Sequence, residues 1–342
     1  MMNSFPPTGI DGYVSKTFIF KSTKDGDIHV DVAYPEVTDG TSTVLIHYHG
    51  GFLVRTKPVV GDRYSFFPYW LLHACASRNW IFVTPDYRLL PETTAHYSLQ
   101  DAVDAYSWVL QSLPQLLGRT INSVMLAGSS AGAYLALATA ATVDRQPSAL
   151  LLIYGMLDLT FHRYTYPGTN IFNRPMIETS PILGSWPKWG AGDDRQVLSA
   201  YPLPENPTGD PRFALVAALH IDGLFPDYMT GTTRIGRMIA EEGNDAIPQH
   251  HQSLFPLAFG NLEKLPRTML LHGKNDSAVP VELSVRAMDK LRAAGVDVCA
   301  EFPEDAEHGF DARAGNVNIE TLSGEDVAAF QSLRKAVNFL AR

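Results

Sequence analysis

The sequence lacks the features that define several classes of protein. It has only two cysteines in 342 residues, Cys75 and Cys299, so we expect neither a disulfide scaffold nor a cysteine-based zinc site. No run of 18 apolar residues occurs, so we expect no membrane-spanning helix. Basic residues number 27 against 36 acidic ones, and the net charge of −9 argues against a nucleic-acid partner, which a basic face would hold.

The composition that remains is that of a globular protein. Hydrophobic residues make up 45% and charged residues 18%, which is enough apolar material for a large buried core. The first residues, MMNSFPPTGIDGYVSKT, do not combine a basic segment with an apolar stretch, as a secretory signal would. We therefore expect a cytoplasmic protein, whose oligomeric state the sequence leaves open.

Short apolar runs alternate with helical stretches, which is typical of an α/β protein with a mostly parallel sheet. Several runs are continuously apolar, as strands buried on both faces are. The first two strands are expected to form an antiparallel pair around Asp25 and Gly26. The predicted strands cover residues 17–20, 28–32, 44–48, 80–84, 123–127, 149–153, 268–271 and 298–302.

Helices are predicted between these strands. Val281, Val285, Met288 and Leu291 recur at helical spacing and predict an apolar face, and Gly295 follows where such a helix would end. The other predicted helices cover residues 101–110, 131–143 and the apolar stripe at 330–340.

Residues 156–265 break this alternation and hold 11 of the 23 prolines. A connection of that length must carry structure or a function of its own. We therefore predict a catalytic domain built from residues 1–155 and 266–342, with 156–265 as an inserted cap that contains short helices near 211–219 and 232–242. A peripheral helical bundle or an oligomer contact is the alternative.

The strongest chemical signal is Gly128-Ser129-Ser130-Ala131-Gly132, which follows an apolar strand and opens a helix. This context fits a nucleophile elbow, in which a strained turn exposes the serine hydroxyl and glycines avoid clashes with the strand and the helix. The helix N-terminus also brings free amide groups to the site. We predict Ser130 as the nucleophile.

A pair of glycines, Gly50 and Gly51, ends another core strand after His47-Tyr48-His49. Acyl transfer needs hydrogen-bond donors aimed at the developing oxyanion, and the amides of Gly50, Gly51 and Ala131 are predicted to supply them. Two alternatives stay open: a plain glycine turn, and a metal site at His47 and His49, which share one strand face.

Asp276 and His308 follow the two last strands, in His272-Gly273-Lys274-Asn275-Asp276 and Glu307-His308-Gly309-Phe310. Both therefore lie at the carboxyl edge of the predicted parallel sheet, where ligands bind. The order serine, aspartate, histidine is that of α/β-hydrolases. We predict His308 as the base that takes the serine proton and Asp276 as the group that orients it.

Other residues compete for these roles. Asp158 ends a core strand and is the main alternative acid, whereas Glu304, Asp305 and Glu307 are expected to form a solvated acidic turn beside the histidine. The histidines of the insert, at 220, 250 and 251, lack an acid at the end of a core strand.

With these motifs the chain resembles the hormone-sensitive-lipase-like family of α/β-hydrolases. The segment Asp86-Tyr87-Arg88-Leu89-Leu90-Pro91-Glu92 is similar to the D-Y-R-L-A-P-E segment of that family. The resemblance implies an eight-stranded sheet with helices on both faces, a serine-ester mechanism and no cofactor or metal. It also implies the roles predicted above for Ser130, Asp276 and His308.

The chain departs from this family at two positions of the site. Phe52 stands where the family has a third glycine, and Ser129 stands where its elbow has aspartate. We expect Phe52 to reshape the acyl side of the pocket and Ser129 to change how the loop is braced, and we count both as candidate substrate-binding residues.

These observations predict a serine carboxylic-ester hydrolase that acts on a small or medium apolar ester or lactone. An acyltransferase or a cyclase of small-molecule biosynthesis could use the same residues, because the two differ only in which nucleophile reaches the acyl-enzyme. The third hypothesis is a small-ligand receptor on an inactive hydrolase fold.

Overall fold

A single sheet organises the molecule. The computed structural model describes residues 8–37, 40–55, 66–186, 198–201, 209–321 and 328–342, and within these ranges eight strands pair with one another. The strands are β1 (Tyr13–Thr23), β2 (Gly26–Pro35), β3 (Thr41–Tyr48), β4 (Ile81–Pro85), β5 (Thr120–Ser129), β6 (Leu150–Ile153), β7 (Thr268–Leu271) and β8 (Val298–Glu301).

The strand order is β1-β2-β4-β3-β5-β6-β7-β8, and all pairings from β4 to β8 are parallel. Only β1 and β2 run antiparallel to their neighbours, and they form the predicted opening pair. The predicted α/β-hydrolase fold with a mostly parallel eight-stranded sheet is therefore confirmed.

Helices cover both faces of the sheet. Side chains alternate along a strand, so Val44 and Ile46 of β3 enter one hydrophobic core while Leu45 enters the other. The first core also contains apolar residues of the helices at 95–111, 131–142 and 282–293, and the second contains those of the helices at 69–76 and 328–340. The helices of the sheet domain are α1 (Tyr69–Ala76), α2 (Ala95–Gln111), α3 (Leu113–Leu117), α4 (Ala131–Thr142), α11 (Glu282–Ala293) and α12 (Ala328–Leu340).

The predicted apolar face of α11 is wrong in part. The buried apolar residues of this helix are Leu283, Ala287 and Leu291, whereas Val285 is 37% exposed. Leu283, Ala287 and Leu291 are four residues apart and share one face, so the buried stripe is rotated relative to the predicted one. The small side chain of Ala287 hid this stripe, because the prediction counted only large apolar residues.

The described part of region 156–265 consists of short helices joined by loops. It contains α5 (His162–Thr165), α6 (Ser180–Ser185), α7 (Pro211–Ile221), α8 (Phe225–Thr230), α9 (Ile235–Glu242) and α10 (Pro256–Phe259). Short 3₁₀ helices complete it, at Ile171–Asn173, Gly243–Ala246, Gln249–Leu254 and Leu262–Lys264. The two helices predicted in this region correspond to α7 and α9.

Arg212 at the start of α7 ties this region to the sheet domain. Its guanidinium donates to the carbonyls of Val54 and Leu90, at 2.9 and 2.8 Å, and pairs with Glu92. These bonds join α7 to the loop after β3 and to the segment that resembles D-Y-R-L-A-P-E. Whether residues 156–265 act as a cap over the site remains a proposal.

A second buried ion pair anchors that segment. Arg88 donates to both carboxylate oxygens of Asp101 in α2, at 2.8 and 2.7 Å, and its backbone amide donates to the same side chain. Lys21 of β1 adds a third cationic contact at 2.7 Å. Bidentate pairs of this kind are strong and geometrically specific.

We predict that Asp101→Ala lowers the free energy of unfolding by about 3–5 kcal/mol, because it leaves the buried Arg88 without its partner. Urea denaturation followed by circular dichroism measures the change. The matched control is Arg237→Ala, which breaks an exposed pair with Glu241 in α9 and should leave stability unchanged. Equal stability of the two variants would contradict the prediction.

Candidate active site

The turn that carries Ser130 is strained and tightly packed. Ser130 has φ 57° and ψ −117°, outside the regions that residues other than glycine favour. A Cβ at Gly128 would lie 2.1 Å from the carbonyl oxygen of Gly132, and one at Gly132 would lie 1.9 Å from that of Tyr48. No side chain fits at either position, which is the physical reason for both glycines of the elbow.

Hydrogen bonds to the end of β6 and to the chain that follows it hold the backbone of Ser130. Its amide donates to the carbonyl of Ile153 at 2.8 Å, and its carbonyl accepts from the amide of Met156 at 3.2 Å. The side-chain oxygen Oγ is buried and has no hydrogen-bond partner among the described residues. Ser130 Oγ therefore makes no hydrogen bond to His308 in this structure, and such bonds are often formed only with substrate bound.

The predicted oxyanion loop lies directly against the nucleophile. A Cβ at Gly50 would come within 3.0 Å of the Ser129 carbonyl oxygen and 3.1 Å of Ser130 Cβ. Ala131 is the first residue of α4, so its amide has no carbonyl partner within the helix. The structure thus brings two of the three predicted donor positions next to Ser130, and Gly51 follows in the same loop.

Phe52, where the resembled family has glycine, keeps a glycine-like backbone. Gly51, Phe52 and Leu53 all have positive φ, at 105°, 58° and 61°. The Phe52 ring lies edge-on to His220 of α7, with centroids 5.1 Å apart, and faces the ring of His308 at 6.4 Å. The side chain thus stands between the insert and the predicted catalytic histidine.

Asp276 and His308 form a direct hydrogen bond. His308 Nδ1 lies 2.7 Å from Asp276 Oδ2, and both residues are buried. Because a carboxylate only accepts, Nδ1 carries the proton and Nε2 is left as the basic nitrogen. The other oxygen, Asp276 Oδ1, accepts from the amides of Ala278 and Val279 at 2.9 and 2.8 Å, so the carboxylate is fully oriented.

A second histidine also approaches this carboxylate. His272 Nε2 lies 3.3 Å from Asp276 Oδ2 and 2.8 Å from the carbonyl oxygen of Val279, and its Nδ1 lies 2.7 Å from the hydroxyl oxygen of Ser284. Burial alone would raise the pKa of Asp276, but the charge and hydrogen bonds of His308 and His272 outweigh it and hold that pKa well below its ordinary value. Asp276 is therefore ionised at neutral pH.

Asp158, the alternative acid, has partners other than His308. Its carboxylate bonds Thr160 and pairs with Arg286 at 3.1 Å, whereas the Nδ1 atom of His308 bonds Asp276.

The expectation that the acidic residues beside His308 form a wholly solvated turn is wrong at one position. Glu307 is half-buried and accepts from the amide and hydroxyl of Ser277 at 3.2 and 3.0 Å, so it links the two loops that carry Asp276 and His308.

The two histidines of β3 and the loop after it are engaged within the protein. His47 Nε2 bonds Ser129 Oγ at 3.0 Å, and burial lowers the pKa of His47 to about 3. His49 Nδ1 bonds the carbonyl of Gly50 at 2.8 Å, and its ring stacks on Tyr87 at 4.2 Å. Across the described ranges, no group of three histidine, cysteine or acidic side chains could hold a metal ion.

Ser129 belongs to a buried polar network behind the nucleophile. Its hydroxyl contacts Tyr154 as well as His47, and the Tyr154 hydroxyl donates to Asp311 at 2.6 Å. The indole of Trp70 donates to the other oxygen of Asp311 at 2.9 Å. Where the resembled family has an aspartate in the elbow, this chain has a serine, and the buried carboxylate of the network comes from the loop after β8.

This network reaches the predicted catalytic base through Tyr154. The Tyr154 ring packs against His308 with centroids 4.6 Å apart, and Tyr154 itself has a positive φ of 35°. Burial, and then the charge of Asp311, raise the pKa of Tyr154 well above its ordinary value, so its hydroxyl keeps its proton. Asp311 directly follows Glu307-His308-Gly309-Phe310 in the sequence, and this position beside the histidine motif is the sequence signal that points to it.

The sequence also did not predict that the ring of Phe172, which stacks on Phe213, packs beside His308. The ring of Phe172 lies edge-on to His308 with centroids 5.9 Å apart and stacks on Phe213 at 6.1 Å. Phe172 has φ 56° within the short 3₁₀ helix Ile171–Asn173, and its amide donates to the carbonyl of Ser277 at 3.1 Å. Nothing in the local sequence separates this phenylalanine from others in the insert.

Comparisons with known proteins agree with the fold. A family model described as alpha/beta hydrolase fold matches residues 45–230, more than half of the chain. A second model, described as prolyl oligopeptidase family, matches residues 227–324, which include Asp276 and His308. The chain therefore belongs to the alpha/beta-hydrolase family.

Relatives cover most of the chain at low identity. The non-reducing polyketide synthase ausA of Emericella nidulans is 27% identical over 95% of this chain, which spans only 14% of that synthase. Probable carboxylesterase M8 of Phoma sp. is 26% identical over 87% of this chain and 90% of its own length. Brefeldin A esterase, a bacterial homologue of human hormone-sensitive lipase, shares the fold with TM-score 0.60 and 18% identity, over 98% of this chain and 78% of its own.

These matches confirm the resemblance to hormone-sensitive-lipase-like esterases at the level of the family. In the part of the chain that the structure describes, every helix is too short or too polar to cross a membrane.

We predict that Asp311→Ala lowers both stability and turnover. It leaves the Tyr154 hydroxyl and the Trp70 indole without an acceptor, at a cost of about 1–3 kcal/mol for each buried group, and frees the ring that packs on His308. Urea denaturation and steady-state kinetics measure the two effects.

Asp305→Ala is the matched control, because Asp305 is an exposed aspartate of the same loop. It should change neither quantity. If Asp311→Ala kept the stability and kcat of this control, the network would have no part in holding His308.

Proposed function

We propose that this protein is a serine carboxylic-ester hydrolase that acts through an acyl-enzyme, with Ser130 as nucleophile, His308 as base and Asp276 as its orienting acid. The observation that carries the proposal is the buried Asp276–His308 hydrogen bond of 2.7 Å, at the same edge of the sheet as the strained Ser130 turn. A histidine whose Nδ1 proton is committed to a carboxylate presents Nε2 for proton transfer.

The mechanism follows from these positions. Ser130 Oγ attacks the ester carbonyl while His308 Nε2 takes the hydroxyl proton, and the amides of Gly50, Gly51 and Ala131 stabilise the oxyanion. The protonated His308 then gives its proton to the leaving alcohol, and the acyl group remains on Ser130. Water, deprotonated by His308, attacks the acyl-enzyme and releases the acid.

The insert supports a role for residues 156–265 as a cap over this site. Phe172 and His220 both belong to it and lie against His308 and Phe52, and Arg212 ties it to the loop of Gly50 and Gly51. The aromatic side chains at this boundary favour a small or medium apolar ester or lactone as substrate.

A second candidate uses the same residues. The acyl group of the acyl-enzyme could pass to an alcohol or an amine, or close a ring, instead of reacting with water. The similarity to non-reducing polyketide synthases over 95% of the chain favours this alternative, because such enzymes build acyl chains that must be released. The substrate would then be a polyketide acyl group carried as an ester or thioester.

We predict that Ser130→Ala loses at least about 10⁴-fold in kcat/KM toward p-nitrophenyl esters, because no other group forms the acyl-enzyme. A fluorophosphonate probe should add once to the wild type and not to the variant, as measured by intact mass. The control Ser107→Ala alters a half-buried serine of α2 that bonds only its own helix at 2.9 Å, and it should keep both properties. If Ser130→Ala turned over the esters at the rate of Ser107→Ala, the proposal would be contradicted. A folded wild type that neither reacts with the probe nor cleaves the esters would favour the receptor hypothesis.

The choice between hydrolysis and transfer is testable with an N-acetylcysteamine thioester of an aromatic acid. We expect free acid as the main product when the thioester is incubated with a primary alcohol in buffer, because water enters the site of a hydrolase unhindered. Mass spectrometry of the products measures the partition. An excess of the alcohol's ester over the acid would instead assign the transferase function.

A further inference from the structure

Two polar atoms of the insert are buried without a partner beside the predicted active site. Among the described residues, neither the Nε2 atom of His220 nor the hydroxyl of Tyr164 has a hydrogen-bond partner, and both side chains are fully buried. Their rings lie together, with centroids 5.6 Å apart. An unpaired buried polar group costs about 1–3 kcal/mol, so a pair of them in one place calls for a physical reason.

The hydrogen-bonding role of His220 is fixed. Its Nδ1 lies 2.7 Å from the carbonyl of Val216, which can only accept, so Nδ1 carries a proton. Burial and the neighbouring charge of Arg163 lower the pKa of His220 to about 3, so the ring is neutral. Nε2 is therefore an acceptor that lacks a donor.

Tyr164 offers the complementary role. Burial raises its pKa far above the ordinary value, so the hydroxyl keeps its proton and can donate. The charge of Arg163 lowers this pKa, and the charges of Asp276 and Asp158 raise it further. Together, His220 Nε2 offers a hydrogen-bond acceptor and the Tyr164 hydroxyl offers a donor.

Phe52 connects this pair to the reacting atoms. Its ring contacts His220 at 5.1 Å on one side and His308 at 6.4 Å on another. The polar pair thus lies one phenyl ring away from the catalytic imidazole, next to the loop that holds the oxyanion donors. Like these two atoms, Ser130 Oγ is buried and has no hydrogen-bond partner among the described residues.

We propose that His220 and Tyr164 form a hydroxyl-binding subsite for the acyl part of the substrate. The substrate hydroxyl donates to His220 Nε2 and accepts from the Tyr164 hydroxyl. The acyl group must therefore extend from the carbonyl at Ser130 past the ring of Phe52. The inference rests on the proposed function, because it names the acyl group that Ser130 receives. It assigns a hydroxylated acyl group, such as a phenolic one, as the preferred substrate class.

The first test is a set of p-nitrophenyl esters of 3-phenylpropanoic acid. The ring carries a hydroxyl at its second, third or fourth carbon, and the matched compounds carry a methyl group at the same positions. The leaving group and the reacting carbonyl are unchanged, so kcat/KM reports recognition of the ring. We expect the hydroxyl compound to exceed its methyl analogue by about five- to a hundred-fold at one position.

The second test is a pair of variants, Tyr164→Phe and His220→Phe. Both variants should abolish the hydroxyl preference, which is the ratio of kcat/KM for the hydroxyl compound to kcat/KM for its methyl analogue in the same variant, so a general change in activity does not alter it. Tyr164→Phe removes a hydroxyl that has no partner among the described residues, so it should also raise the melting temperature by about 1–3 °C. His220→Phe also removes the hydrogen bond to the carbonyl of Val216, so this variant is judged by the hydroxyl preference alone. A purely structural tyrosine would lower the melting temperature when replaced. The reference substrate for the wild type is p-nitrophenyl acetate, which has no ring.

Tyr106→Phe is the matched control. Tyr106 is also a buried tyrosine, but its hydroxyl donates to the carbonyl of Arg145 at 2.8 Å. This variant should lower the melting temperature and leave the hydroxyl preference unchanged.

The outcomes separate this inference from the proposed function. If the wild type cleaves the acetate but shows no hydroxyl preference, or if Tyr164→Phe is destabilised as Tyr106→Phe is, the subsite is overturned and the esterase function stands. If no ester is cleaved and the fluorophosphonate does not label Ser130, both proposals fail together.

Discussion

The site depends on one close backbone contact, between the start of α4 and the end of β3. Gly132 lies so near the carbonyl of Tyr48 that even a methyl group at its Cα would overlap that oxygen. This contact sets the distance from the Ser130 turn to Gly50, which comes two residues after Tyr48. The predicted nucleophile and the predicted oxyanion donors are thus placed by strand and helix backbone, and backbone within a buried sheet moves little.

Much of this framework could be predicted from the sequence because its signals are local. Apolar runs mark the buried strands, and the glycines at 128 and 132 mark a turn that tolerates no side chain. Asp276 and His308 could be placed at one sheet edge because each directly follows a strand of a parallel sheet. The apolar face of α11 was wrong because small residues, such as Ala287, fill a buried face as well as large ones.

The remaining parts of the site depend on contacts between distant segments, which no local pattern encodes. Trp70, Tyr154 and Asp311 come from three separate parts of the chain and meet only in the folded protein. The same holds for Phe172, whose backbone leaves the usual regions in order to reach His308. The role of Glu307 was missed because its partner, Ser277, lies on another loop.

The pairing of β6 with β7 has a consequence for how the protein is made. Leu150 lies beside Thr268, so two adjacent central strands must find each other across the whole of the insert. Bringing together residues that are so far apart in sequence costs chain entropy before their contacts stabilise the fold. Folding that depends on such contacts is slow. During synthesis, Ser130 and its neighbours leave the ribosome long before Asp276 and His308 do. Ser130, the predicted nucleophile, therefore cannot meet its predicted base until β6 and β7 have paired.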